Sequence, residues 1–185
     1  MKVLGISGSL RPDSHNRALL HAAGELLPDD IQFEIWDGLK AVPPYDEDDD
    51  VQPAPVAVAQ LRDAIAGADA VLFATPEYNS SVPGQLKNAL DWASRPLQTS
   101  VLRNKPVAVV GASTGAFGAV WAQAELRKIL AATGARVADA ELALGHADQH
   151  LDGHGSLVDD GLRDQLREVV WALVDEAVPR VAAAA

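Results

Sequence analysis

Lys2-Val3-Leu4-Gly5-Ile6-Ser7-Gly8-Ser9-Leu10-Arg11-Pro12-Asp13-Ser14-His15-Asn16 is the stretch that sets the architecture. Its first half is a short apolar run, read as a buried strand over Lys2 to Ser7. Its second half is polar and opens a segment with apolar residues at Leu19, Leu20, Ala23, Leu26 and Leu27, which is helical spacing and predicts a helix over His15 to Leu27. A strand that feeds a helix through a polar loop is the repeating unit of a parallel sheet.

The unit recurs down the chain. Strands are predicted at Ile31–Trp36, Ala70–Thr75, Pro106–Val110 and Ala135–Leu144. Helices are predicted at Val56–Ala66 with Gly67 at its C-cap, at Pro83–Trp92 with Pro in its first turn, at Ala116–Thr133 closed by Gly134, and at Ser156–Val178. Five β-α units imply a parallel sheet with helices on both faces, and ligands that bind at the carboxyl ends of the strands. The loops that matter are then Gly8 to Asn16, Pro76 to Val82 and Gly111 to Gly118. Residues 1–185 read as a single domain, with Ala182 to Ala185 a frayed tail.

Composition removes several function classes. The net charge of -11 argues against a nucleic-acid partner. The absence of cysteine excludes disulfides, thiolate metal sites and thiol catalysis. The N-terminus turns polar at once and is read as no signal peptide. No run approaches the roughly 20 apolar residues of a membrane span, so the expectation is a soluble, cytoplasmic protein with no membrane partner.

The first loop combines a helix N-terminus, which favours an anion, with Ser9, Ser14 and Asn16 as donors, His15 among them and the charged fork of Arg11. This reads as a phosphate cradle, against the plain alternative of a capped polar turn. It lacks the Gly-Lys-Ser/Thr ending of a Walker loop and the glycines of G-x-G-x-x-G. Asp37 at the end of the second strand keeps a nicotinamide-binding sheet in play. In the second loop, Pro76, Pro83 and Gly84 make a stiff turn that exposes backbone groups at fixed angles. Tyr78 offers a flat face and Asn79 both a donor and an acceptor, which suits a planar heterocycle. An ordinary turn with Tyr78 covering the core is the alternative.

Taken together, Gly8-Ser9-Leu10-Arg11 with Ser14 and Asn16, Pro76-Glu77-Tyr78-Asn79, and Pro83-Gly84-Gln85-Leu86-Lys87-Asn88-Ala89-Leu90-Asp91-Trp92 resemble the NAD(P)H-dependent FMN reductase family. The acidic stretch Pro43-Pro44-Tyr45-Asp46-Glu47-Asp48 is similar too. The resemblance runs from residue 2 to about residue 178. It implies a flavodoxin-like three-layer sandwich, with a five-stranded parallel sheet in the order 2-1-3-4-5. It implies FMN as cofactor and NADPH or NADH as donor. It implies that Ser9, Arg11, Ser14 and Asn16 hold the FMN phosphate, with His15 among them as a cofactor-binding residue, that Pro76, Glu77, Tyr78 and Asn79 line the ring, and that Ser113, Thr114, Gly115 and Phe117 flank it. It further implies a homodimer or homotetramer, and a ping-pong reaction in which hydride from the nicotinamide reaches the flavin before a small acceptor is reduced. Quinones, free flavin, azo compounds and metal oxyanions are the acceptors expected. No side chain is expected to act as acid or base.

Other readings stay open at this point. Gly111-Ala112-Ser113-Thr114-Gly115 matches G-x-S-x-G, and Asp148 followed by His150 or His154 gives hydrolase order, so a serine hydrolase acting through Ser113 is one rival. A non-enzymatic electron carrier with an acidic docking surface is another. His146, His150 and His154 lie four apart, but Gly145, Gly153 and Gly155 argue for a loop rather than a metal-binding helix. Asp46 to Asp50 reads as a solvated loop. Leu86, Ala89, Leu90 and Trp92 read as a core or interface stripe, and Trp121 and Trp171 as packing residues.

Overall fold

A computed structural model describes residues 1–152 and 155–178. Five strands, β1 (Lys2–Ser7), β2 (Gln32–Trp36), β3 (Ala70–Thr75), β4 (Pro106–Ala112) and β5 (Arg136–Leu144), form one sheet in the order β2-β1-β3-β4-β5. Every pairing is parallel. The fold is flavodoxin-like, as the sequence led us to expect.

The helices are α1 (His15–Gly24), α2 (Val56–Ala66), α3 (Gly84–Ala93), α4 (Val120–Ala132), the single turn α5 (Ala147–His150) and α6 (Asp160–Ala177). Successive strand side chains point to opposite faces, so the central strands, buried on both, feed two cores. Leu4, Ile6, Val71, Phe73, Val107 and Val109 pack against α2, α3 and α4 through residues such as Leu61, Leu86, Leu90 and Leu126. Val3, Leu72, Ala74, Ala108 and Val110 pack against α1 and α6 through Leu19, Leu20, Leu166, Val169 and Leu173. The edge strand β2 exposes Gln32 and Glu34, which accounts for the alternation seen in its sequence.

Several boundaries differ from the sequence reading, each for a local reason. α1 stops at Gly24, and the chain leaves through i to i−3 bonds from the N–H of Leu26 and of Leu27. α4 starts at Val120 rather than Ala116 because Gly118 and Ala119 are left-handed, with φ of +56° and +62°. α6 starts at Asp160, where the Asp159 carboxylate accepts from the Leu162 N–H at 2.9 Å. Pro83 is the N-cap of α3 and not a residue of its first turn. β4 runs two residues further than expected, to Ala112. The tail Ala182 to Ala185 lies outside the described residues, as do Gly153 and His154.

The long connection after β2 is fastened by one face of α3. The Gln85 amide donates to the carbonyls of Leu39 and Val42, both at 2.8 Å. Asn88 takes the Tyr45 N–H and donates to the Pro43 carbonyl, which the Trp92 indole also reaches. The stripe Leu86, Ala89, Leu90 and Trp92 is core. α3 therefore fixes its own start, Gly84, next to the end of the second loop.

Candidate functional site

The carboxyl ends of β1, β3 and β4 meet at one point, and specific bonds hold them there. The Gly8 N–H donates to the Ala74 carbonyl at 2.8 Å, tying the first loop to β3. A Cβ on Gly8 would lie 2.9 Å from Leu86 Cδ2 on α3 and 3.2 Å from Pro76 Cδ in the second loop, so glycine eases the close approach of the first loop to both. Asn16 ties α1 to β4: its Nδ2 donates to the Ala112 carbonyl and its Oδ1 accepts the Ala112 N–H, each at 2.9 Å.

Hydroxyl groups set the backbone of the first loop. The Ser9 N–H donates to Ser7 Oγ at 3.2 Å, and the Arg11 N–H donates to Ser9 Oγ at 3.4 Å. Ser14 is the N-cap of α1, its Oγ accepting from the Arg17 N–H. The ten-residue helix α1 thus directs its positive end into the loop. Arg11 is exposed and forms no ion pair among the described residues, whereas Arg17 is paired with Asp37.

The second loop is a hairpin two residues wide. Tyr78 and Ser81 exchange backbone bonds of 3.1 and 3.2 Å around Asn79 and Ser80, whose φ values are +53° and +58°. Two successive left-handed residues make a primed turn, which asparagine tolerates. Two carboxylates then clasp this loop to α4. Glu77 Oε2 accepts the N–H groups of Trp121 and Ala122, both at 3.1 Å, and so caps a helix whose own N-cap, Ala119, has no side chain able to do so. In return, Glu125 of α4 accepts from Ser81 Oγ at 2.6 Å and the Val82 N–H at 3.2 Å. The Ser81 hydroxyl and then the Val82 amide hold the Glu125 carboxyl below its usual range.

The third loop is stitched to the end of β5 and the chain just after it. The Ser113 N–H donates to the Leu144 carbonyl, the Ala147 N–H to the Ser113 carbonyl, and the His146 N–H to the Gly115 carbonyl.

Between the three loops lies a cleft of about 190 Å³ lined by Ser9, Arg11, Ser14, His15, Asn16, Pro76, Glu77, Tyr78, Ala112, Ser113 and Thr114. Most of the residues expected from the sequence therefore surround one space. Asn79, Gly115 and Phe117 do not line it. Asn79 is at the exposed hairpin tip, and Phe117 is exposed and packs edge-on to Trp121 at 5.1 Å.

Two side chains in the lining have work other than that expected of them. The Asn16 amide, expected as a phosphate donor, bridges to the Ala112 backbone, and the Glu77 carboxylate caps α4. Ala112 was missed because it contributes backbone, for which residue type carries no signal.

The Ser113 elbow is not formed. A nucleophile elbow needs a sharp, strained strand-to-helix turn. Here α4 begins only at Val120, Ser113 is not among the residues of positive φ, and its Oγ accepts the Gly115 N–H at 3.1 Å. Among the described residues no histidine hydrogen-bonds to it. His146 is the N-cap of α5, with a φ of +46°, and His150 is its last residue, while His154 lies outside the described residues.

The chain matches a known family. The model for NADPH-dependent FMN reductase matches residues 1–149. An NAD(P)H-dependent FMN reductase of Pseudomonas aeruginosa is 43% identical over 174 residues, covering 94% of this chain and 93% of that protein. A 2-hydroxy-1,4-benzoquinone reductase of Burkholderia sp is 41% identical over 168 residues, covering 90% of this chain and 91% of that protein. The solved structure of FerB, a flavoenzyme NAD(P)H:(acceptor) oxidoreductase from Paracoccus denitrificans, superposes with a TM-score of 0.86 at 36% identity, covering 95% of this chain and 96% of that one. With a parallel sheet in the order 2-1-3-4-5, a polar cleft at its central strand ends and these relatives, the chain belongs to the NADPH-dependent FMN reductase family.

Proposed function

We propose that this chain is an FMN-dependent NAD(P)H oxidoreductase that reduces quinones, holding the flavin in the cleft between its first three strand-end loops. The observation that carries the reading is the donor set of the first loop: the start of α1, the Ser9 and Ser14 hydroxyls and an Arg11 guanidinium without an ion-pair partner among the described residues. Such a set fits a phosphate, because a helix N-terminus favours negative charge and a guanidinium matches phosphate oxygens.

Ser9, Arg11 and Ser14 would hold the phosphate, with His15 beside them. Pro76 and Glu77 would present backbone to the ring edge, Tyr78 would lie at its face, and Ser113 and Thr114 would offer polar groups on the opposite side. Bound flavin supplies the chemistry of accepting hydride and passing electrons on. The protein's part is placement. The Gly8 and Asn16 bonds keep the tail-binding and ring-binding loops in register, and the paired carboxylates Glu77 and Glu125 hold the ring loop against α4. The cleft, at about 190 Å³, is below the roughly 300 Å³ at which sites that enclose drug-sized ligands begin. It suits a phosphate and its chain and leaves a ring at the mouth, beside a Tyr78 that is 50% exposed. An open ring face is what donor and acceptor need if they bind in turn.

Quinone is the favoured acceptor because relatives at 38–41% identity bear the names quinone reductase and 2-hydroxy-1,4-benzoquinone reductase. Steady-state rates at several fixed quinone concentrations should give parallel double-reciprocal lines against NADPH. Absence of NADPH oxidation by FMN-loaded protein would instead leave an electron carrier.

The exposed pair Phe117–Trp121 beside the site supports a homodimer or homotetramer, checked by light scattering. Among the described residues no helix is long and apolar enough to cross a membrane. The cytoplasm, where NADPH is supplied, is the location we assign.

A further inference from the structure

Gln123, in the first turn of α4, is 1% exposed, and its Oε1 is the one buried side-chain polar atom among the described residues without a hydrogen-bond partner. Buried acceptors are rarely left so, because an unmade bond keeps the full cost of desolvation. The other end of the same amide is engaged. Its Nε2 donates to the Gly118 carbonyl at 3.0 Å. Turning the amide over would set two carbonyl oxygens against each other, so the free atom is the oxygen. There is little room for the amide to leave, since a Cβ on Gly111 would lie 2.8 Å from Nε2.

A donor to match it belongs to the same residue that Gln123 already holds. Gly118 is buried, and its N–H makes no hydrogen bond among the described residues. A side-chain amide can bridge both backbone groups of one residue, as Asn16 does with the N–H and carbonyl of Ala112. Gln123 and Gly118 form half of such a bridge. Gly118 stands at a φ of +56°, and with no Cβ it can turn to either side of φ to present its N–H. One more bond then forms without loss of the first.

The segment that must move lies between two walls of the flavin cleft. Upstream, Ser113 and Thr114 line that cleft. Downstream, the first turn of α4 is capped by Glu77, which lines it too. A ligand that rests on both walls restrains both ends of the segment, which lowers the cost of ordering what lies between. We propose that Gln123 is a positioning residue of the third loop, which completes its bridge to Gly118, Oε1 to N–H, when the flavin ring occupies the cleft. The coupling rests on the flavin reading above.

Amide hydrogen exchange resolved to Gly118, with and without FMN, is the test. In wild type, FMN slows exchange at Gly118 about tenfold or more, the effect of one added hydrogen bond. In Gln123→Met, which keeps the length of the side chain and loses its amide, FMN changes that exchange by less than about twofold, and FMN leaves about tenfold faster. A merely structural role for Gln123 would lower the Tm and leave the FMN-dependent slowing in place, which overturns the proposal. So does wild-type exchange at Gly118 that FMN does not alter, a result that needs no variant to fold. Wild-type crystals add a second reading: the Gly118 N–H bonded to Gln123 Oε1 with FMN bound supports the bridge, and a water on Oε1 both with and without FMN overturns it. Failure of the flavin reading is seen separately, as protein that takes up no FMN.

Discussion

Replacing Asn16 with alanine should both destabilise the protein and loosen its site. Asn16 is 3% exposed and makes two bonds of 2.9 Å to the backbone of Ala112, itself buried. Alanine leaves the Ala112 N–H and carbonyl without their partner, at about 1–3 kcal/mol for each buried orphan. Ala112 lines the cleft, so water can reach part of the gap, which favours the lower half of that range. The expected total is about 3 kcal/mol. For a chain of this size that is a fall in Tm of about 6–12 °C. Asn16→Asp keeps the acceptor but sets a carboxylate against the Ala112 carbonyl, so it should be the worse variant at neutral pH and recover in acid. Thermal unfolding followed by circular dichroism gives the stability, and fluorescence quenching on FMN titration gives the affinity. An Asn16→Ala protein within about 2 °C of wild type would refute the claim that this bridge holds the site. Lowered stability with unchanged FMN affinity would refute its positioning role alone.

Other perturbations have equally definite outcomes. Arg11→Ala should weaken FMN binding by about tenfold or more, for loss of a charge-assisted bond, while turnover of the fully loaded enzyme changes little; the ratio of FMN affinities checks it. Gly118→Ala should cost about 2–4 kcal/mol in chemical denaturation, because φ is +56° and a Cβ would lie 2.3 Å from the Ala143 carbonyl carbon. The Glu125 clasp should depend on pH: a carboxyl held below its ordinary 4.5 in the fold stabilises above that pH, and the benefit is lost as pH falls through the folded value. The stability gap between wild type and Glu125→Ala should therefore be present at pH 7 and shrink below about pH 4.5. A serine-reactive phosphonate should leave Ser113 unlabelled, as mass spectrometry of the treated protein would show, since no elbow is formed.

The parts of this fold legible in the sequence were those governed by periodicity. Runs such as Ala70–Thr75 and Val56–Ala66 were read to the residue, because a fully apolar strand and an amphipathic helix each repeat at a fixed interval. Boundaries failed where a single backbone angle decided them. Nothing in Gly115-Ala116-Phe117-Gly118-Ala119 announces that Gly118 and Ala119 turn left-handed and delay α4 to Val120. The cleft was legible because loops after adjacent strands must meet at one sheet edge. The division of labour within it was not. Asn16 and Glu77 are polar residues in ligand-like positions, yet their polar atoms are engaged by Ala112, Trp121 and Ala122 from remote parts of the chain. Such pairings form only when the loops converge, and sequence spacing does not reveal them.

The binding of FMN compared with riboflavin is the most direct measurement of the central claim. If the first loop grips a phosphate, wild-type protein should bind FMN at least about a hundredfold more tightly than riboflavin, and Arg11→Ala should narrow that margin. Equal affinities for the two flavins would contradict it, because the two molecules differ only in the group this loop is proposed to hold.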